Sequence, residues 1–200
     1  MTHIPVDPLA KALIFDMDGT LIDTIGSHYD AWQKACAPYD VSFSMDYFFS
    51  LTGRPPIELS KRIVLEYGML VTPQQLFQEK ETIFKKNLDT ILIIQPVLEV
   101  IKHFHGHLPL AVGTGSNRPM AIEMLTTTGL LPYFEVVVTA DDVKNYKPHP
   151  ETFLNCANHI KVAPANCQVF EDGQLGLEAA QAAGMIVTDV KPYYDSPVWN

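Results

Sequence analysis

The chain has 200 residues, 47% apolar and 18% charged, which excludes a disordered or fibrous protein and gives length for one core plus a small insertion. Its formal charge of −9 argues against a nucleic-acid partner, because holding a polyanion needs a basic surface that releases counterions. Cys36, Cys156 and Cys167 stand far apart and are odd in number, so they point to thiols in a reducing compartment rather than to a disulfide framework or a zinc site.

The opening MTHIPVDPLAKALIF has two prolines and an early Asp, and no basic segment before a long apolar stretch. No secretory signal is expected. No apolar run approaches the roughly 18 residues of a membrane span. A cytoplasmic protein with no membrane partner is therefore expected. Residues 11–16 (KALIFD) read as the first strand. Helices are predicted next at about 26–37, 44–51, 56–68 and 73–88. Leu59, Ile63 and Val64 fit an apolar stripe on the third, and Thr72-Pro73 makes a good start for the fourth.

Four further strands are predicted at 108–113, 135–139, 167–171 and 185–189. Helices fall between them. One spans 117–128, with Asn117 as N-cap and Pro119 in its first turn, and one spans 150–160 after Pro148 and Pro150. A third spans the alanine-rich 174–183 and stops at Gly184. Such alternation means an α/β fold with a mainly parallel sheet. Residues 17–107 separate the first two strands, far more than the dozen or so a crossover needs. A helical insertion at 25–92 is therefore expected, seated on a core made of 1–24 and 93–200. No internal repeat or low-complexity segment is found.

The candidate chemistry gathers at strand ends. Asp16-Met17-Asp18-Gly19-Thr20 follows the first strand, at the edge where an open α/β sheet places its ligand crevice. Asp16 and Asp18 repel each other, so the site favours a hard divalent cation with oxygen ligands, Mg2+ being the natural choice. An Asp- and Gly-rich turn is the competing structural reading of this run taken alone. The second strand ends in Thr114-Gly115-Ser116, and a helix begins near Asn117. Those hydroxyls, N–H groups and the helix N-terminus suit a phosphate. Glu171-Asp172 end the fourth strand, and Lys147 lies in a proline-fixed loop as a cation for a phosphoryl oxygen. Thr114 as a strand-end hydroxyl, Lys147 as a solvated charge and Glu171-Asp172 as helix N-terminal acids are the structural alternatives.

In this order, Asp16-x-Asp18-Gly19-Thr20, Thr114, Lys147-Pro148 and Glu171-Asp172 resemble the four motifs of the haloacid dehalogenase superfamily. The resemblance covers nearly the whole chain and is closest to the branch with a small helical cap, which includes β-phosphoglucomutase and many sugar-phosphate phosphatases. The runs AVGTGS, ADDVKNYKPHPETFL and VFED are particularly similar to bacterial fructose-1-phosphate phosphatases. The fold implied is a doubly wound, Rossmann-like sheet of five strands in the order 3-2-1-4-5.

By this resemblance Asp16 is the nucleophile, Asp18 the general acid and base, and Thr114 and Lys147 hold phosphoryl oxygens. Asp16, the backbone carbonyl of Asp18, and Asp172 would ligate Mg2+, with Glu171 direct or through water. Thr114, Gly115, Ser116 and Asn117 would bind substrate. Gly53-Arg54, Lys80 and His28 match positions near the cap that contact the sugar or a second phosphate, or relay protons. Solvent-facing placement is the ordinary alternative for Arg54 and Lys80, and hinge packing for His28. The branch's usual Ser after Glu-Asp is Gly173 here, and its Pro-Gly ahead of strand two is Pro96-Val97. The former could loosen the bonding around the metal carboxylates.

Residues outside these motifs read as structural. His103, His105 and His107 fall at a helix end and loop and are expected on the surface. Trp32, Tyr29, Phe43, Phe48 and Phe49 are expected to be core of the insertion, and the tail from Lys191 holds no usable motif. The expected function is a Mg2+-dependent phosphatase of a small sugar phosphate, monomeric, with a small phosphate ester as its partner. A phosphomutase is the nearest alternative. A phospho-accepting signalling domain and an inactive binding module are weaker ones.

Overall fold

The computed structural model describes residues 3–52 and 54–195, the side chain of Asp89 excepted. The central sheet contains β1 (Ala12–Phe15), β4 (Leu110–Gly113), β5 (Val136–Val138), β6 (Cys167–Glu171) and β7 (Ile186–Asp189). These pair in parallel in the order β5-β4-β1-β6-β7, which is 3-2-1-4-5 when the five are counted along the chain. Phe15 sits level with Val112 on one side and Phe170 on the other. That register brings Asp16, Thr114 and Glu171 to one edge, beyond the strands' carboxyl ends.

Both faces of the sheet are covered, so its strands read as apolar runs without polar alternation. Leu13, Phe15, Leu110 and Val112 pack against α5 (Gln95–Phe104) and α6 (Arg118–Thr127). Ala12, Ile14, Ala111 and Val169 pack against α7 (Glu151–Ile160) and α8 (Gln174–Ala182). The pairs alternate along β1, as a period of two requires.

Between β1 and β4 the chain forms α1 (Ile25–Cys36), α2 (Met45–Phe49), α3 (Pro56–Glu66) and α4 (Pro73–Lys85). Their ends lie within a few residues of the sequence expectation, and the chemistry of the caps explains why. Ser44 accepts from Tyr47 N to start α2, and Thr72 with Gln75 forms a reciprocal capping box at α4. Trp32, Phe43, Phe48, Leu59, Ile63 and Leu76 give these helices an apolar cluster of their own. Two-residue strands β2 (Ile22–Asp23) and β3 (Leu92–Ile93) pair antiparallel at the root of the insertion, which the sequence reading did not anticipate. Two residues are too few to show an alternation. Among the described residues no helix is long and apolar enough to cross a membrane.

Candidate active site

The carboxyl edge of the sheet forms the floor of a crevice, and α1, α3 and α4 roof it. Asp16, just past β1, is buried. Its Oδ1 accepts from Lys147 Nζ at 2.6 Å, and the same ammonium donates to Glu171 Oε1 at 2.8 Å. Lys147 lies beneath the floor with its ammonium 4.6 Å from the ring centre of Phe153. Asp172 accepts from Thr20 Oγ1 at 2.9 Å, and Glu171 also accepts from Gly173 N at 2.5 Å. Close packing holds this corner. Gly19 has φ of +90°, and a β-carbon there would overlap the Asp172 carboxylate.

Ligand oxygens of Asp16, Glu171 and Asp172 lie within 4.8 Å of one another. Three carboxylates against the one ammonium of Lys147 leave two negative charges uncompensated. Burial pushes Asp16 up, Lys147 opposes that, and Glu171 and Asp18 add to it. Burial likewise raises Asp172, helped by Glu171 and Asp16. A buried, all-oxygen donor set with this charge deficit fits a hard divalent cation such as Mg2+.

Asp18 belongs to a different set of contacts. Its Oδ1 accepts from Thr24 Oγ1 at 2.6 Å and its Oδ2 from Ser116 Oγ at 2.9 Å, while His28 Nε2 lies 3.2 Å from Oδ1. Burial alone would raise its pKa. The hydrogen bonds from His28, Thr24 and Ser116 outweigh that and hold the carboxyl below its ordinary range. The Asp18 carboxylate is thus outside the three-acid cluster, and any metal contact from this residue falls to its backbone. Thr114 is buried at the end of β4, where its hydroxyl accepts from Ser116 N at 3.0 Å and keeps its own proton to donate. Gly115 and Ser116 line the same crevice. Asn117 does not. Its side chain accepts from Met120 N to cap α6, and the residue faces a neighbouring cleft beside Pro119 and Tyr146. Its capping duty, visible in the sequence, takes the side chain away from the ligand space.

Lys80 is fully buried, contrary to the usual surface placement of lysine. Leu76, Lys80 and Phe84 are the buried residues of α4, spaced four apart on one stripe. The ammonium lies 2.8 Å from His28 Nδ1 and 2.9 Å from Glu81 Oε1, with the rings of Phe84 and Trp32 at 4.6 and 5.8 Å. His28 stacks on Phe84 at 3.9 Å. An ammonium has only protons to give, so His28 accepts at Nδ1 and presents Nε2–H to Asp18. Burial and the Lys80 charge keep this imidazole below its ordinary pKa, against the pull of Asp18. Arg54 lines the crevice with Ile25, Trp32, Phe48, Pro56 and Leu59, and among the described residues its buried Nε has no hydrogen-bond partner. Gly53 lies outside the described residues.

Three contributions had gone unassigned in the sequence. Tyr194 donates its hydroxyl to the Gly19 carbonyl, tying the chain's last described turn to the loop after β1. Gly176 leaves room for the Glu171 carboxylate. A glycine in a helix is the signal that could have revealed it, because it costs about 1 kcal/mol relative to alanine. Thr20 and Thr24 lay inside the first motif but carried no role. Gly173 proves compatible with the acid pair, since its N–H bonds Glu171 directly and needs no side chain. His103, His105 and His107 are exposed, and among the described residues no metal-competent cluster includes them.

Residues 13–190 match the family described as haloacid dehalogenase-like hydrolase. The chain is 41% identical over 180 residues to the fructose-1-phosphate phosphatase YqaB of Escherichia coli, covering 90% of this chain and 95% of that one. It is 31% identical to a phosphorylated carbohydrates phosphatase of Thermotoga maritima, over 88% and 82% of the two chains. Among solved structures, a β-phosphoglucomutase from Clostridium difficile superposes with a TM-score of 0.80 at 28% identity, covering 90% of this chain and 84% of that one.

Proposed function

The chain belongs to the haloacid dehalogenase-like hydrolase family, and on that premise we propose a magnesium-dependent phosphatase that hydrolyses a sugar phosphate such as fructose 1-phosphate. It is a phosphoric monoester hydrolase. The observation that carries the reading is the buried corner where Lys147 bridges Asp16 and Glu171 beside Asp172, open to the crevice under Thr114. We assign residues 1–24 and 93–200 to the core that does the chemistry and 25–92 to the cap that selects the substrate. A monomer of the cytoplasm completes the proposal.

Lys147 occupies Asp16 Oδ1, so Oδ2 is the oxygen for attack on phosphorus. The P–O bond to the sugar breaks as the Asp16–P bond forms, and Asp18, ionised at rest, takes up a proton from solvent as the phosphate ester binds and gives that proton to the departing alkoxide. Asp18 then takes a proton from water. The resulting hydroxide attacks phosphorus, frees inorganic phosphate and restores Asp16. The Thr114 hydroxyl and the Gly115 N–H bind the phosphoryl oxygens, with Ser116 bonding Thr114 and Asp18 beside them, while Lys147 offsets charge on the floor. Asp16, Asp172, the Asp18 backbone carbonyl and Glu171 would hold Mg2+, which when bound supplies charge neutralisation for the phosphate and its approach to a carboxylate. Thr24, Ser116 and His28 aim the Asp18 carboxylate, in the basic form that the second half-reaction requires. Arg54 meets an acceptor on the sugar, which would satisfy its Nε.

A phosphomutase is the second reading, favoured by the His28–Lys80 contact over Asp18 and by the likeness to β-phosphoglucomutases. A panel of phosphate monoesters including fructose 1-phosphate and β-glucose 1-phosphate, with Mg2+, separates the two. Phosphate release without a bisphosphate activator supports the phosphatase. Isomerised sugar with little free phosphate overturns it.

A further inference from the structure

Glu81 belongs to none of the motifs, yet it ends the buried polar row that starts at Asp18. Its side chain is 14% exposed and its Oε1 accepts from Lys80 Nζ at 2.9 Å. It also borders the neighbouring cleft, beside Gln78, Lys85 and Tyr146, so it reaches Lys80 from the side away from the substrate crevice. Among the described residues, Glu81 is the one carboxylate within ion-pair distance of the Lys80 ammonium. The other contacts of that ammonium are a neutral imidazole nitrogen and two ring faces.

We propose that Glu81 is a positioning residue of the reaction, holding the Lys80 ammonium against His28 Nδ1 and thereby fixing the histidine tautomer that gives Nε2–H to Asp18. The inference rests on the reading of Asp18 as acid and base. Its physics is directional. Lysine ends in a rotatable group on a flexible stem and is oriented only by its acceptors. Glu81 and His28 Nδ1 are two acceptors placed so that one ammonium serves both. With Glu81 removed, a buried cation loses its countercharge and Lys80 leaves the alignment. His28 then has no donor at Nδ1, and the choice of the Nε2–H tautomer rests on the Asp18 contact alone. The tautomer protonated at Nδ1 turns a lone pair from Nε2 toward the Asp18 carboxylate and repels it. Stacking on Phe84 fixes the ring plane but does not choose between the tautomers.

The test combines Glu81→Ala with spectroscopy of 15N-histidine-labelled full-length protein, the His28 signals being assigned by their loss in His28→Gln. In the unsubstituted protein Nδ1 should be the unprotonated nitrogen and Nε2 the protonated one. In Glu81→Ala the two His28 signals should move toward each other as the tautomers mix. Steady-state kcat should fall about tenfold to a hundredfold, a share of what a placed acid–base group supplies, with KM changed less than about threefold. Unchanged His28 signals and kcat within twofold in folded Glu81→Ala would overturn the proposal. Should Glu81→Ala fail to fold, Glu81→Gln decides. A neutral acceptor bonds an ammonium more weakly than a carboxylate, so a partial shift of the same signals is expected, and none at all overturns the proposal. The signals report independently of turnover. Asp18→Asn with full activity would instead remove the reading beneath it.

Discussion

Gly176 stands so close to Glu171 that a β-carbon on it would lie 2.8 Å from the Glu171 Cγ and closer still to the carboxylate. The first turn of α8 therefore sets where that acid can sit, and with it the contacts from Lys147 and Gly173.

Gly176→Ala should displace the Glu171 carboxylate and loosen both contacts. Partners around metal carboxylates typically matter by 10- to 100-fold, and a fall of about that size in kcat is expected. Stability should change less, because alanine favours a helix by about 1 kcal/mol over glycine and offsets part of the clash. Kinetics beside urea denaturation of the same variant check this split. Equal losses in both would contradict it.

Mg2+ should stabilise the fold as well as support turnover, because two buried negative charges are uncompensated without it. At about 100 times its dissociation constant a ligand adds about 2.7 kcal/mol, which for a chain of this size raises Tm by about 5–10 °C. Thermal denaturation with Mg2+ and with chelator measures the difference. Asp172→Asn should shrink it, and turnover should return when Mg2+ is restored.

His28 gives the stability a pH dependence of known sign. Its folded pKa lies below the ordinary 6.5, through burial first and the Lys80 charge second. Between the folded value and 6.5 the unfolded chain binds more protons, so stability rises with pH across that window. The contribution is fully present above the unfolded value and is lost as pH falls through the folded one. Urea denaturation across that range should show a slope that His28→Gln flattens. An equal slope in both proteins would contradict the buried, neutral imidazole.

The parts legible in the sequence share a cause. The five core strands were apolar runs because both faces of the sheet are buried, and Asp16, Thr114, Lys147 and Glu171-Asp172 stood at their ends in a fixed order. What escaped depended on partners remote in the chain or on too few residues. Tyr194 bonds a carbonyl 175 residues away, and nothing in its surroundings in the sequence marks that. The β2–β3 pair has two residues a side. Lys80 was half-legible. Its charge suggested solvent, while its place between Leu76 and Phe84 at intervals of four put it on the buried stripe. Asn117 shows the reverse, a residue well placed for an anion whose side chain is committed to its own helix.

The identity of the attacking group is open to direct measurement. Asp18→Asn, mixed with Mg2+ and fructose 1-phosphate and quenched in acid within one turnover, should carry an acyl phosphate on the peptide containing Asp16. The same preparation with Asp16→Asn added should carry none. Phosphate on another residue, or steady turnover by Asp16→Asn alone, would contradict the account.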